Sequence, residues 1–285
     1  MNKRLHNLSL AALLALLLLL PAVTKAHTMW IDTPFEGHIG QPQTVRIFFG
    51  EFSLRMISPA DRWFSDIANC RLTLLAPDGT RIPLEKAPTD SCYTASFTPT
   101  TDGWYLLYFE HTVRDLYEGM RITYGAQSWV RVGHPDGSPT VASPFSHGRL
   151  FLPPAEPFRL DQPAAVTLTE GGQLAPSRRL TLTSDKGWRK NLRSDATTAI
   201  ASTPLLFPAD YLFEWTDNPP ITDPAQRIST DHQSDYIPLN YFFRPGGSAS
   251  ESHSGYRTAP RRGLLPRNRS RIITRKVVSY NFCQT

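Results

Sequence analysis

The chain has 285 residues, of which 40% are hydrophobic and 19% charged. This balance supplies enough apolar side chains for a buried core and excludes a globally disordered chain. The 25 prolines and 17 glycines are too many for a helical bundle and favour short strands joined by turns. The net charge of +5 is unevenly spread, because residues 27–243 hold 18 basic and 24 acidic side chains, whereas residues 244–285 hold nine basic side chains and one acidic. The body is therefore mildly acidic, and only the tail is basic.

Residues 1–26 have the pattern of a secretory signal peptide. Two basic residues precede an apolar run from Leu8 to Leu20, which is shorter than the ~18–20 residues that a membrane-spanning helix needs. The small residue Ala26 stands where such a segment is cut. We therefore expect an exported, periplasmic protein with no integral membrane segment after processing. This location argues against a nucleic acid as the partner of the basic tail.

Cleavage after Ala26 would make His27 the first residue of the mature chain. An N-terminal histidine offers its α-amine and its imidazole Nδ1 to one ion, and a second imidazole completes a three-nitrogen site suited to Cu(II) or Ni(II). The amine has an ordinary pKa of ~7.7–8 and must lose its proton on binding, so we expect the affinity to fall in acid. The alternative is that His27 binds no metal, because any residue can follow a cleavage site.

The chain contains a degenerate internal repeat. From Gln41 onward, the offset between its two copies drops from 121 to 108 residues, which places 13 extra residues in the first copy, between Gly50 and Leu72. The matches keep their order along the chain: Pro34-Phe35 recurs as Pro157-Phe158, Gln41-Pro42 as Gln162-Pro163, Leu72-Thr73-Leu74 as Leu180-Thr181-Leu182, and Tyr105-Leu106 as Tyr211-Leu212.

Each copy shows short stretches of alternating apolar and polar residues separated by turn residues, as in β-strands. Asp102-Gly103 before Tyr105 is typical of the tyrosine corner of immunoglobulin-like sandwiches. The first copy predicts strands near residues 27–32, 43–49, 70–76, 81–85, 92–97, 104–111 and 121–132. The predicted fold is all-β, with two tandem immunoglobulin-like β-sandwich domains over residues 27–133 and 157–243, a Pro/Gly-rich linker over 134–156 and a basic tail over 244–285.

Strand direction predicts a meeting point for three features of the first copy. In an antiparallel succession, the start of the first strand, the end of the second and the end of the sixth lie at one end of the sandwich. These places hold His27, the extra loop Glu51–Asn69 and His111. We therefore predict His111 as the second metal ligand. The alternative is that His111 is an ordinary polar residue at the end of a strand. Met29 offers a thioether on the same side but fits the core better.

The chain has three cysteines. Cys70 and Cys92 fall on neighbouring predicted strands, and Cys283 is left over. In an exported protein we expect the first two to form a disulfide that closes a loop of about 23 residues and stabilises the fold by roughly 3 kcal/mol. Sequences typical of dithiol redox proteins, nucleotide-binding loops, serine hydrolases and zincins do not occur.

Ala26-His27-x-x-Trp30-Ile31, Pro34-Phe35, Gly40-Gln41-Pro42 and Phe49-Gly50-Glu51 resemble a family of bacterial periplasmic proteins of unknown function. Its members begin with an Ala-His pair and an aromatic–aliphatic strand, and some are associated with nickel or cobalt uptake. The resemblance implies β-sandwich domains and a transition-metal role that is carried here by His27. The arginine-rich tail is not part of the family pattern.

Three functions follow from these features and stay open at the level of sequence. The first is an exported binding or accessory protein for a divalent transition metal, with the ion as its partner and a membrane transporter as a candidate recipient. The second is a copper-dependent oxidative enzyme of the polysaccharide monooxygenase type, in which Tyr108 or Phe109 stands near an axial position of the metal. The third is an adhesion or assembly module without a metal, for which tandem sandwiches suffice.

Overall fold

The computed structural model describes residues 27–246 and the residue pair 257–258. The described chain is built from β-strands, which confirms the predicted all-β, sandwich-like fold of immunoglobulin type. Helical structure in these ranges consists of 3-10 turns of three residues, so no helix there is long and apolar enough to cross a membrane. The first ten strands are β1 (Thr28–Asp32), β2 (Glu36–Gly37), β3 (Gln43–Glu51), β4 (Met56–Ile57), β5 (Thr73–Leu75), β6 (Arg81–Pro83), β7 (Ala87–Pro88), β8 (Tyr93–Phe97), β9 (Gly103–Thr112) and β10 (Met120–Val132). The others are β11 (Arg149–Leu152), β12 (Pro163–Glu170), β13 (Gln173–Leu174), β14 (Arg179–Ser184), β15 (Arg189–Arg193), β16 (Ile200–Pro204), β17 (Tyr211–Asp217), β18 (Ser234–Phe243) and β19 (Arg257–Thr258).

The strands predicted for the first repeat are all present, as β1, β3, β5, β6, β8, β9 and β10. The alternation that predicted them reflects real burial: along β8 the side chains of Ala95 and Phe97 are buried, whereas Ser96 between them is exposed. Three two-residue strands, β2, β4 and β7, were not predicted, because two residues are too few to show a period.

The largest sheet has nine strands and takes them from both sequence repeats. Its strand order is β15-β14-β17-β18-β10-β9-β5-β6, and β2 also pairs with β10. The order is symmetric about its centre, where β10 of the first repeat pairs in parallel with β18 of the second. Backbone hydrogen bonds therefore join the two predicted domains, and their number and boundaries stay a prediction.

Two smaller sheets cover opposite faces of this central sheet. A six-stranded sheet contains β1, β3, β4, β7, β8 and β19, and a four-stranded sheet contains β11, β12, β13 and β16. Phe242 of β18 lies in one core with Trp30 of the six-stranded sheet. The adjacent residue Tyr241 contacts Phe151 of the four-stranded sheet, with ring centroids 6.3 Å apart. Because neighbouring strand residues point to opposite faces, the two cores lie on opposite sides of the central sheet.

The internal repeat is visible at two tyrosine corners. The hydroxyl of Tyr105 donates to the carbonyl of Thr101 at 3.0 Å, which confirms the predicted corner. In the second copy the hydroxyl of Tyr211 donates to the carbonyl of Phe207 at 2.6 Å, again four residues earlier in the chain. The two copies therefore share this contact as well as their order of strands.

Part of the predicted linker belongs to a sheet. Residues 149–152 form β11, which pairs antiparallel with β12, and Leu150 and Phe151 are fully buried. The linker therefore does not extend over the whole of 134–156. The strand was missed because four residues between Gly148 and Pro153 are too few to show an alternating pattern against a Pro/Gly-rich background.

Gly50 of β3 is expected to tolerate no side chain. A Cβ atom there would lie 2.3 Å from the carbonyl oxygen of Met56 and 2.7 Å from Cα of Ile57, both backbone atoms of the paired strand β4. Replacing Gly50 by alanine should therefore lower the free energy of unfolding by about 1–3 kcal/mol, measured by urea denaturation. Gly246→Ala is the matched control, because a Cβ atom there would lie at the ordinary contact distance of 3.6 Å from the carbonyl oxygen of Phe158. Equal stability of the two variants would contradict the close approach.

Candidate functional site

Three features of the first repeat meet at one rim of its sandwich. Thr28 of β1 pairs with Gly50 of β3, which places His27 beside the end of β3, where the extra loop begins. The ring of His27 lies 5.2 Å from that of Phe49, and Phe49 in turn packs against Trp63 of the extra loop at 5.9 Å. His111, at the end of β9, contacts the same loop through Asp66. The arrangement that strand direction predicted is therefore present.

The ring of His27 lies against a carboxylate at the end of the neighbouring strand. Its Nδ1 atom lies 3.2 Å from Oε1 of Glu51, and the two side chains are 36% and 7% exposed. The carbonyl oxygen of His27 accepts a hydrogen bond of 3.4 Å from the hydroxyl of Tyr124. Burial raises the pKa of this tyrosine well above its ordinary value, so the hydroxyl keeps its proton for donation. Pairing with β3 and with Tyr124 fixes the His27 backbone while leaving part of its ring accessible.

His111 has a carboxylate partner of its own. Its Nε2 atom lies 3.2 Å from Oδ1 of Asp66, which also accepts a hydrogen bond of 2.9 Å from the backbone amide of Arg114. Burial alone would raise the pKa of Asp66, but the Arg114 amide and the His111 ring outweigh it and hold that pKa below the ordinary value. The rim therefore carries two imidazole–carboxylate pairs.

The His27–Glu51 pair fits the donor set of a transition metal. Two cis ligands of one ion, each bonded at ~2.0–2.2 Å, lie about 3 Å apart, which is close to the distance between Nδ1 and Oε1. Within residues 27–246, however, no three or more histidine, cysteine, aspartate or glutamate side chains are grouped so that they could hold an ion. The two predicted ligands, His27 and His111, thus share a rim but not a preformed cluster. A full site requires a donor other than a side chain, and the α-amine of a cleaved chain is one.

Other side chains of β1 and β9 that bear on the metal hypotheses are fully buried or point to the opposite face of β9. Met29 is fully buried. Phe109 is also fully buried, and Tyr108 points to the opposite face of β9, where its ring contacts Phe145 at 5.8 Å. Glu110 shares that opposite face and bonds to Ser146. An axial position for Tyr108 or Phe109, as in the monooxygenase hypothesis, has no support in this geometry.

The predicted disulfide between Cys70 and Cys92 is not formed, because both residues are buried free thiols. Cys70 ends the 3-10 turn Ile67–Asn69, and burial raises the pKa of its thiol to about 11. Cys92 precedes β8, and its sulfur lies 3.3 Å from the hydroxyl of Thr89. The strands that follow the two cysteines belong to different sheets, a separation that proximity in the sequence does not reveal. Cys283, the signal peptide and most of the basic tail lie outside the described residues.

Sequence reasoning missed Glu51 and Asp66 as partners of the two histidines. A signal for Glu51 was available, because it ends the strand that the first strand was expected to pair with, directly opposite His27. Asp66 had no such signal. It lies in the extra loop after a 3-10 turn, and neither the loop length nor its composition predicts which loop residue reaches β9.

A second polar network lies on the other side of the central sheet. Arg149 of β11 is fully buried and donates to the carbonyl oxygens of Trp215 and Ile237 at 3.1 and 2.9 Å. Its charge is paired with Asp217 at 3.3 Å. The Nε of Arg149 also donates to Nδ1 of His147 at 3.2 Å, which places the proton of that ring on Nε2. This network connects β11 to strands β17 and β18 of the second repeat.

Comparisons with known proteins assign no family. No family model matches the chain, and no curated protein matches it. Among solved structures it is similar to a DUF4785 family protein from Legionella pneumophila, with 12% identity, a TM-score of 0.27, and coverage of 65% of this chain and 50% of the other. It is also similar to two marsupial T cell receptor structures, with 9% and 7% identity, TM-scores of 0.23 and 0.22, and coverage of 67% and 79% of this chain and 58% and 75% of theirs. The chain spans about half the length of the Legionella protein.

Proposed function

We propose that this chain is an exported, periplasmic binding protein for a divalent transition metal, Cu(II) or Ni(II), held at the rim of the first repeat. After cleavage, His27 supplies its α-amine and Nδ1 and Glu51 supplies a carboxylate oxygen; His111, which is not within reach of these donors while it contacts Asp66, supplies a second imidazole by turning from Asp66 when the ion binds. The observation that carries the proposal is the distance of 3.2 Å between Nδ1 of His27 and the largely buried carboxylate of Glu51. Imidazole, amine and carboxylate donors suit both metals.

The burial of Glu51 supports a cation at this place. A carboxylate that is 7% exposed is costly to keep charged unless positive charge lies beside it. The His27 ring supplies that charge only when protonated, whereas a divalent ion supplies it at neutral pH. Because the ion would replace the proton, metal affinity is expected to fall as the pH drops below the pKa of the ring and of the amine, ordinarily ~6.5 and ~7.7–8.

The accessibility of His27 supports a role in transfer rather than storage. Its side chain is 36% exposed, so an ion bound there stays within reach of a second protein. A membrane transporter that receives the ion is the partner that fits an exported binding protein.

Calorimetric titration with Cu(II) and with Ni(II) tests the proposal. The mature chain beginning at His27 should bind at least about tenfold more tightly than a chain that begins one residue earlier, at Ala26, because the extension separates the amine from Nδ1; that ratio equals 1.4 kcal/mol. Glu51→Gln and His111→Ala in the mature chain should each weaken binding. His38→Ala is the matched control, because His38 is an exposed histidine in a turn away from the rim. Equal affinities of the two chain lengths would refute the site.

A further inference from the structure

A strongly basic surface lies in the second repeat, on the hairpin of β14 and β15, whose turn contacts the extra loop through the ion pair between Arg55 and Asp185. Residues 178–193 hold six basic side chains and one acidic, although residues 27–243 as a whole have a net charge of −6. We name the outward-pointing residues of β14 and β15 the basic face. It consists of Arg179, Thr181, Arg189, Asn191 and Arg193.

The strand register places these side chains side by side. Arg179 lies directly opposite Arg193, and Thr181 lies opposite Asn191. Leu180 and Leu182 of β14 are buried, so the alternate residues point to the other face, where Arg179, Arg189, Asn191 and Arg193 are exposed. Like charges directly opposite each other destabilise a sheet. The pair of opposed arginines therefore costs stability in the protein alone and is favoured where an anion binds between them.

The charges of the basic face are paired mainly with neutral groups. Arg193 donates to the carbonyl oxygen of Ser177 at 3.0 Å, and Arg189 lies 3.5 Å from the hydroxyl of Thr181. The carboxylate that faces this surface from the next strand is Glu214. Burial raises the pKa of Glu214, and the charge of Arg189 opposes this shift. The negative charge of Glu214 therefore neutralises at most one arginine.

The first repeat keeps only part of this face: Arg71 and Arg81 are equivalent to Arg179 and Arg189, but Glu85 stands at the position of Arg193. Two further positions differ between the repeats. Tyr108 is equivalent to Glu214, and Leu75 is equivalent to Thr183, the residue before the last one of β14. Both Leu75 and Tyr108 are buried in the core beneath the four-stranded sheet. The opposed pair of arginines is thus a property of the second copy alone and is not required by the fold.

We propose that the basic face binds a linear acidic polysaccharide. Arg179 and Arg193 together take one acidic group, and Thr181 and Asn191 bond to the hydroxyl groups of the adjoining sugar. Arg189 lies four residues from Arg193 along β15, roughly 13 Å away, and takes a second acidic group further along the chain. On the basic face, charged side chains alternate with hydroxyl and amide groups. In such a polymer, acidic groups alternate with hydroxyl groups, so the two patterns match. This binding does not involve His27 and is independent of the metal site.

Binding of alginate fragments to the full chain tests the proposal. The triple variant R179Q/R189Q/R193Q should bind at least about tenfold more weakly than the unmodified chain, a ratio that corresponds to 1.4 kcal/mol. The matched control is R71Q/R81Q/R227Q, which removes three exposed positive charges elsewhere and should retain most of the affinity. The urea midpoint of the first variant should be unchanged or raised, because its opposed arginines are gone. A loss of binding without a loss of stability separates a binding face from a structural one.

Three outcomes would overturn the proposal. Equal weakening in both variants would assign the binding to net charge or to the basic tail. Equally tight binding of neutral dextran would remove the role of the acidic groups. Binding of vesicles of phosphatidylglycerol, abolished in R179Q/R189Q/R193Q while alginate binding is unchanged, would assign the face to a lipid surface.

Discussion

Replacing Arg149 by methionine is expected to lower the free energy of unfolding by about 3–5 kcal/mol. Methionine fills much of the same volume but removes the donor from the buried carbonyl oxygen of Trp215 and from the partly buried carbonyl oxygen of Ile237. It also removes the cation that pairs with Asp217, although that carboxylate is 53% exposed and can be solvated by water. The cost therefore comes chiefly from the two carbonyl groups, and urea denaturation at neutral pH measures it.

Arg159→Met is the matched control for this experiment. Arg159 also pairs with an aspartate, Asp161, at 3.1 Å, but its side chain is 59% exposed, and such surface pairs contribute about 0–1 kcal/mol. A stability of Arg149→Met within about 1 kcal/mol of the unmodified protein would show that water or a rearranged side chain satisfies the two carbonyl groups.

Acid is expected to destabilise the protein through His147. Burial, and secondarily the positive charge of Arg149, lower the pKa of this ring to about 3 in the folded protein, whereas it is ~6.5 in the unfolded chain. Between these values the unfolded chain binds a proton that the folded protein does not. The free energy of unfolding therefore falls as the pH drops from ~6.5 toward about 3, by an amount on the order of several kcal/mol, and this contribution is complete above ~6.5.

His147→Gln provides the test, because glutamine keeps an acceptor for Arg149 but does not titrate. Urea midpoints at about pH 4 and about pH 7 should differ less in this variant than in the unmodified protein. His134→Gln changes an exposed histidine of the same connecting segment and should leave the difference unchanged. If both variants keep the full pH dependence, buried carboxylates rather than His147 account for it.

Local sequence patterns were sufficient for most strands but not for the way the sheets associate. Asp102-Gly103 and Tyr105 predicted a corner and the strand that follows it, because turn residues and alternation act over a few positions. The parallel pairing of β10 with β18 joins residues more than 100 positions apart and leaves no such pattern. The same strands are expected for two separate sandwiches in tandem and for one sheet shared by both repeats. The strand pattern therefore does not distinguish these two arrangements.

For the candidate site, too, the sequence predicted the location but not the detailed contacts. Strand direction alone brought His27, the extra loop and His111 to one rim. The direction in which each ring points depends on single loop contacts, such as that between His111 and Asp66, which no periodicity encodes. The disulfide prediction failed for a related reason, because it assumed that Cys70 and Cys92 lie on neighbouring strands, whereas the strands that follow them belong to different sheets.

The parallel contact between β10 and β18 bears on how this architecture arose. Val130 pairs with Tyr105, and Phe243 with Tyr211, so Val130 and Phe243 are equivalent positions 113 residues apart. The contact between the two strands pairs Gly125 with Leu239, a separation of 114, so each residue pairs within one position of its equivalent. An axis parallel to these strands relates the two copies, as in a closed homodimer. A single ancestral copy could have assembled in this way with its twin before gene duplication fused the pair, after which one partner was free to acquire the rim and the other the arginines.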